Sequence, residues 1–540
     1  VSFPLDAAFF RAVGSVQPFR FQMASAGCWL LLGLCVSVSA QIYNFDKEVV
    51  PEAKSLNMLY VYFVFAKEDA PDKSRGDSYV QFQNLRLEST SKTATKKDLE
   101  NYKGIQVHIM RYSDFEQQVS PSRMCATDED VSMGLAKQRD SLIINRHADE
   151  GLKDVNVYRQ QLQFGESHEV STEQKVTKSG VYILVLSNCG SMGDAVLSGK
   201  VIVRNPHGYL PANEYDKLGF YAGLAIFYFV LFLGWLVLCV RWWKELLNFH
   251  ISIGAVLFFG LTESILWYIF LVDWNSNGER TAFLFGSAVM LSVTRTTTSY
   301  MLVLVACLGW GVTRPILDSS LSCRIGCLSM VYIILNYVRE IVISFRTSHS
   351  VPLAFIVLCL LPVSLMNGGI FYWVFSALTN LIETLEASGQ TEKLSLFQKL
   401  WYILVLDIIL AVLVMLVQVL AFSQNAAETW REQWLITDCA PHVLFGLVLL
   451  AMMYLWAPHE ESSRYAYTTQ IDGNEDGELG NAAAPDTAAA SVWVDEADKD
   501  QDEESFWAST KKEPENDGQA RADTIGKDGK STKHETYGRL

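Results

Sequence analysis

Between residues 219 and 457 the chain repeats runs of roughly 20 apolar residues with few charges. At 1.5 Å rise per residue, such a helical run covers the ~30 Å hydrocarbon core of a bilayer. Seven spans are expected, at 219–240, 249–272, 282–309, 325–345, 351–379, 400–422 and 437–457. Charge is spread just as unevenly. Residues 458–540 hold 20 acidic and 9 basic side chains, which accounts for −11 of the net −15. Clustered positive charge of the kind a nucleic-acid surface needs is missing, so no nucleic-acid partner is expected.

Residues 1–40 read as an upstream segment and a signal peptide. From Met23 a short apolar core leads to Val38-Ser39-Ala40, the small-residue pattern that signal peptidase cuts. With about 10 strongly apolar residues the core is too short to span a membrane. Met23 is the expected initiator, and cleavage after Ala40 would start the mature chain near Gln41, in the lumen. A retained anchor is the alternative. Of ten cysteines, Cys28 and Cys35 fall in this segment, and Cys239, Cys307, Cys323, Cys327, Cys359 and Cys439 lie in or beside spans. Cys125 and Cys189 are left as the soluble pair, and an oxidising compartment predicts a disulfide between them. Cys323 and Cys327 stand four apart with no second pair or nearby histidine to complete a zinc site, so they are expected as buried helix residues.

Residues 41–212 read as a β-rich domain. The segments 59–65, 79–82, 105–109, 155–158, 181–186 and 201–203 are short and rich in β-branched and aromatic residues, with polar stretches between them. Six to eight strands of this kind predict a β-sandwich, with a short helix somewhere in the polar region 120–150. His108, His147 and His168 are isolated and read as surface or packed residues. No Asn-x-Ser/Thr sequon occurs between 41 and 212. Nucleophile elbow, HExxH and paired-carboxylate signatures are absent from the sequence, so an enzyme is not expected.

A luminal amino-terminal domain and seven crossings put residues 458–540 in the cytosol. Flanking charge agrees: Arg241, Lys244, Arg314, Arg324, Lys393 and Lys399 fall on the expected cytosolic side, against Arg280, Arg346 and Arg431 on the other. Residues 468–540 are too polar to fold and read as a disordered acidic tail. Val492-Trp-Val494 and Phe506-Trp507 are candidate linear motifs within it for sorting or coat proteins.

Charged residues inside spans are costly and therefore informative. Glu263 in the second span and Arg295 in the third differ in depth by only ~6 Å, so a buried ion pair is plausible, either structural or lining a polar cavity. Asp407 lies nearer the cytosolic side. Arg339 and Glu340 are adjacent and expected to point apart. Asp438 and His442 share a helix face, with Asp438 favoured as a cap ahead of Pro441. Pro362 and Gly368-Gly369 should bend or loosen the fifth span.

Several stretches resemble the GOST family, the Golgi-dynamics-domain seven-transmembrane-helix proteins, also called the lung seven-transmembrane receptor family. They are Ser179–Cys189, Asn205-Pro-His-Gly-Tyr-Leu-Pro211, Gly260-Leu-Thr-Glu263, Gly309-Trp-Gly-Val-Thr-Arg-Pro-Ile-Leu317, Lys393-Leu-Ser-Leu-Phe397, Leu455-Trp-Ala-Pro458 and Ser463-Arg-Tyr-Ala-Tyr467. The motif positions at helix ends are Gly309, Gly311, Arg314, Pro315, Trp456, Pro458, Arg464, Tyr465 and Tyr467. The chain departs from the family at Tyr300, where a basic residue is usual, and near Ala387-Ser388, where a basic pair is common. The resemblance implies a luminal GOLD-like β-sandwich on a seven-helix bundle in Golgi or endosomal membranes. It implies a role in trafficking between endosomes, the Golgi and the plasma membrane. It also implies a lipid-accessible cavity with room for a bound phospholipid, and calls for no other cofactor. The expected partners are membrane lipids, a luminal protein or lipid ligand, and cytosolic sorting or coat proteins. A cation channel or transporter is the alternative, motivated by Glu263, Arg295 and Asp407. An atypical G-protein-coupled receptor ranks lower, since the third span lacks Asp-Arg-Tyr at its inner end and the seventh lacks Asn-Pro-x-x-Tyr.

Overall fold

The computed structural model of the chain describes residues 41–458 apart from 91–103, 120–122, 135, 137, 145–156, 165–166, 171–172, 191–193, 314–316, 347–352 and 423–427. The expected signal peptide and acidic tail, with the tail's two aromatic motifs, lie outside the described residues. So do Arg314, Pro315, Arg464, Tyr465 and Tyr467.

The described residues form nine strands: β1 (Ile42–Val49), β2 (Ser55–Val64), β3 (Tyr79–Ser89), β4 (Ile105–Arg111), β5 (Val157–Gln161), β6 (Ser167–Val170), β7 (Gln174–Lys175), β8 (Gly180–Asn188) and β9 (Ala195–Arg204). They build two antiparallel sheets. One runs β1-β9-β3-β6 with β7 also on β3, and the other runs β2-β8-β4-β5. The alternation in β3 explains the layering: Val80, Phe82, Leu85 and Leu87 point inward, meeting Tyr62, Val64, Ile105, Val107, Ile109, Leu184 and Leu186 of the facing sheet. β8 is buried almost throughout, because its second face is covered by the short helix Tyr112–Gln118 and by Leu142 and Ile144. Cys125 and Cys189 form a disulfide that ties this outer layer to the end of β8. A second short helix, Asp128–Ser132, falls in the polar region as expected and is capped through Thr127. His108 is fully buried and pairs with Ser187 Oγ at 3.0 Å, the packed reading. Desolvation holds it far below the usual imidazole range, at about 3.

Seven helices among the described residues follow that are long and apolar enough to cross a membrane. They are Tyr215–Arg241, Asn248–Asn277, Ala282–Cys307, Ser319–Ile343, Leu358–Ala387, Thr391–Leu420 and Leu435–Leu455. Several begin or end well outside the apolar windows, and the sixth starts at Thr391 rather than 400. The polar turns with Glu392, Lys393 and Lys399 continue the helix past the hydrocarbon, where hydropathy gives no signal. The fifth helix runs unbroken through Pro362, and Gly368 and Gly369 face open space.

The sandwich and the bundle are stitched together through the Asn205–Pro211 motif. Asn205, fully buried, accepts from Phe65 N at 2.8 Å and donates to Leu210 O at 2.9 Å. Asn275, in the last turn of the second span, donates to His207 O at 3.0 Å and accepts from Leu210 N at 3.1 Å. Its carbonyl takes Tyr209 N at 3.0 Å and Arg75 Nη1 at 3.1 Å. Trp430, between the sixth and seventh spans, is buried against Phe63, Phe65, Ala70, Ala212 and Tyr215, and Arg431 lies 4.9 Å over the Phe65 ring.

Candidate functional site

The structure brings the intramembrane charges into one chain that starts at the sandwich end of the bundle. Lys217, in the first turn of the first span, meets Glu214 at 2.9 Å and Asp438 at 3.0 Å. His442 Nδ1 sits 2.7 Å from the Asp438 carbonyl. A carbonyl only accepts, so Nδ1 donates to it, and Nε2 faces Glu263 Oε1 at 3.8 Å. Glu263 is in ion-pair contact with Arg295, both side chains almost fully buried. The Arg295 guanidinium also lies 4.7 Å over the Phe445 ring. Gly260 makes room one turn before Glu263, since a Cβ there would run into the Tyr228 ring at 2.8 Å.

Asp438 does not cap the seventh helix. It lies in a π-helical stretch, Leu435–Cys439, that runs straight into Ala440, so no free helix start exists for it to cap. Its carboxylate instead takes Lys217 and the Thr437 hydroxyl. Arg339 and Glu340 do not point apart either. Consecutive side chains on a helix diverge by about 100°, yet both are long enough to curl together, and they form an ion pair. Asp407 joins neither group. It is half-buried on the sixth span and has no ion pair among the described residues.

Beside the charge chain lies a partly open cavity of about 170 Å³ between the third, fourth and fifth spans. Ser292, Thr296, Tyr300, Tyr332, Asn336 and Asn367 give it a polar wall, and Arg339 and Glu340 close one side. Tyr332 donates to Asn367 Oδ1 at 2.7 Å, and Asn336 to the Tyr332 carbonyl at 2.9 Å. Sequence reading missed this set. Uncharged polar residues scattered in apolar runs do not stand out until three helices place them together.

The opposite end of the bundle carries the turn at 309–313. Gly309 and Gly311 both have φ of +79°, which a side chain resists. Gly309 N bonds Ala306 O at 2.9 Å and Trp310 N bonds Val305 O at 3.1 Å, a Schellman ending to the third span. Buried Lys393 donates to Val312 O at 3.4 Å. Trp456, with Phe249 at 5.0 Å and Phe397 at 6.1 Å, packs the ends of three spans together, and Pro458 just after it is buried. Among the described residues no His, Cys, Asp or Glu cluster could hold a metal ion.

A β-sandwich docked on seven membrane-spanning helices, with a buried Glu–Arg pair at its centre, defines a multi-pass membrane protein of the seven-helix class. Residues 216–463 match the family described as GOST, seven transmembrane domain. It is 27% identical over 301 residues to Transmembrane protein 87A of Xenopus tropicalis, covering 55% of each chain. It is 29% identical over 318 residues to Transmembrane protein 87B of Mus musculus, covering 57% of this chain and 56% of that one. It is 24% identical over 435 residues to Membrane protein PTM1 of Saccharomyces cerevisiae, covering 76% and 79%. The chain thus spans about half the length of the Transmembrane protein 87 relatives it matches.

Proposed function

We propose that this chain is a non-enzymatic protein of Golgi and endosomal membranes that acts in membrane trafficking, with its sandwich in the lumen and its acidic tail in the cytosol. Its ligand is a lipid or a protein recognised by the sandwich and the bundle, and sorting or coat proteins engage the tail. The observation that carries the reading is the polar cavity of about 170 Å³ at mid-span depth. A polar recess in an otherwise apolar helix wall suits the headgroup of a phospholipid with its tails in the bilayer. The match of residues 216–463 to the GOST seven transmembrane domain supports the location and the trafficking role.

Cation conduction is the second reading, and the charge chain from Lys217 to Arg295 is what favours it. Glu263 is already neutralised by Arg295, which leaves a cation little to bind there. The test uses the full chain with Thr296→Phe, which puts bulk into the cavity, and Asn336→Leu, which removes its polarity. Phospholipid co-purifying with the wild-type protein should fall in both variants, while ion flux into reconstituted vesicles stays at background. Lipid content that ignores both changes, or flux that follows the protein, would count against the reading.

A further inference from the structure

Six free cysteines are found among the described residues, and Cys323 and Cys327 are the two that are exposed. This reverses the expectation that they are buried. The fourth span turns Ile325, Ser329, Tyr332 and Asn336 inward, which puts the two cysteines on the opposite face. They stand one helical turn apart and their side chains interact. The helix starts at Ser319, so Cys323 is about 6 Å and Cys327 about 12 Å along its axis. Their face continues as Met330, Val331, Ile334 and Val338, all exposed. On a membrane span, an apolar stripe with no protein packed on it faces acyl chains. The thiols therefore sit where the span enters the bilayer, at the head of a lipid-facing stripe, beside exposed Arg324.

We propose that Cys323 and Cys327 are S-acylated by long-chain fatty acids delivered as acyl-coenzyme A. The cysteine sulfur attacks the thioester carbonyl carbon, and a new sulfur–carbon bond forms as the bond to coenzyme A breaks. Coenzyme A leaves as its thiolate and takes up the proton that the cysteine loses, with no change of oxidation state. The attached chains lie along the Met330–Val338 stripe. The inference rests on the orientation proposed above, because acyl-coenzyme A is cytosolic and this end of the span lies on the side of the tail. Two thiols alone are too few for a closed zinc site, which takes four ligands.

The full chain, expressed in cells fed an alkynyl palmitate, should carry a hydroxylamine-sensitive label. Peptide mass mapping of the wild-type protein should place it on the segment with Cys323 and Cys327. Cys323→Ser and Cys327→Ser should each lower the label and together abolish it, while Cys239→Ser and Cys359→Ser leave it unchanged. An unmodified peptide, a label that survives the double substitution, or a pair released only by dithiothreitol would overturn the inference. Protease added to sealed membrane vesicles from the same cells separates the two readings. A digested tail with no acyl group overturns this inference alone, and a protected tail overturns the orientation and the inference with it.

Discussion

Glu263→Gln keeps the shape of the side chain and removes its charge, leaving Arg295, 8% exposed, as a buried cation without its counter-ion. Breaking a buried pair from one side costs about 3–5 kcal/mol, and an arginine at the centre of a span about 2.5–3.5 kcal/mol. Arg295 keeps the Phe445 ring at 4.7 Å and Tyr228 as a neighbour. The low end, about 3 kcal/mol, is therefore the figure to expect. At roughly 2–4 °C per kcal/mol for a unit of 150–250 residues, melting of the detergent-extracted protein should drop by roughly 6–12 °C. Adding Arg295→Gln removes the orphan charge and should restore part of the loss, with a coupling of about 0.5–3 kcal/mol. Thermal unfolding followed by tryptophan fluorescence reads all four proteins. Strictly additive losses would refute the reasoning, because two side chains that meet cannot be independent.

Three further outcomes are expected. Cys125→Ser opens a link of sequence separation 64, worth about 4 kcal/mol in the chain-entropy account, and unchanged melting with and without reductant would contradict this. Buried His108 and His207 have imidazole values pushed down to about 3 and about 4, so the unfolded chain takes up their protons first as pH falls. Their stability is complete above the ordinary value near 6.5 and is lost toward the folded values, about 2 kcal/mol each around pH 5; His108→Gln should flatten the fall of melting temperature with acid, and an unchanged slope would discount this histidine. Trp430→Ala empties the pocket at Phe63 and Phe65, a loss of about 3–5 kcal/mol for a buried aromatic; faster hydrogen exchange across residues 205–211 checks it, and unchanged protection would place the docking elsewhere.

Hydropathy alone located the seven spans, since a ~20-residue apolar run has few other folded fates. Helix ends were less legible, because the turn from Thr391 to Lys399 is helical without being apolar. Depth arithmetic on consecutive spans was enough to pair Glu263 with Arg295, the strongest charges in the apolar runs. Lys217 gave no signal in the sequence, although it links Glu214 to Asp438 across two distant segments. The burial of Cys323 and Cys327 was misjudged because sequence alone does not say which helix face meets lipid. β1, β6 and β7 were also missed, β6 being only four residues long. β7 is two residues long, and β1 is a polar edge strand whose identity comes from pairing with β9.

The central claim is a role in trafficking, and the most direct measurement is arrival of an endosome-to-Golgi cargo in cells depleted of this protein. Depletion should slow arrival, re-expressed wild-type chain should restore it, and the cavity-filled Thr296→Phe chain, reaching the same membranes, should not. Normal cargo arrival in depleted cells, with a cation current that follows the purified protein into vesicles, would contradict the account.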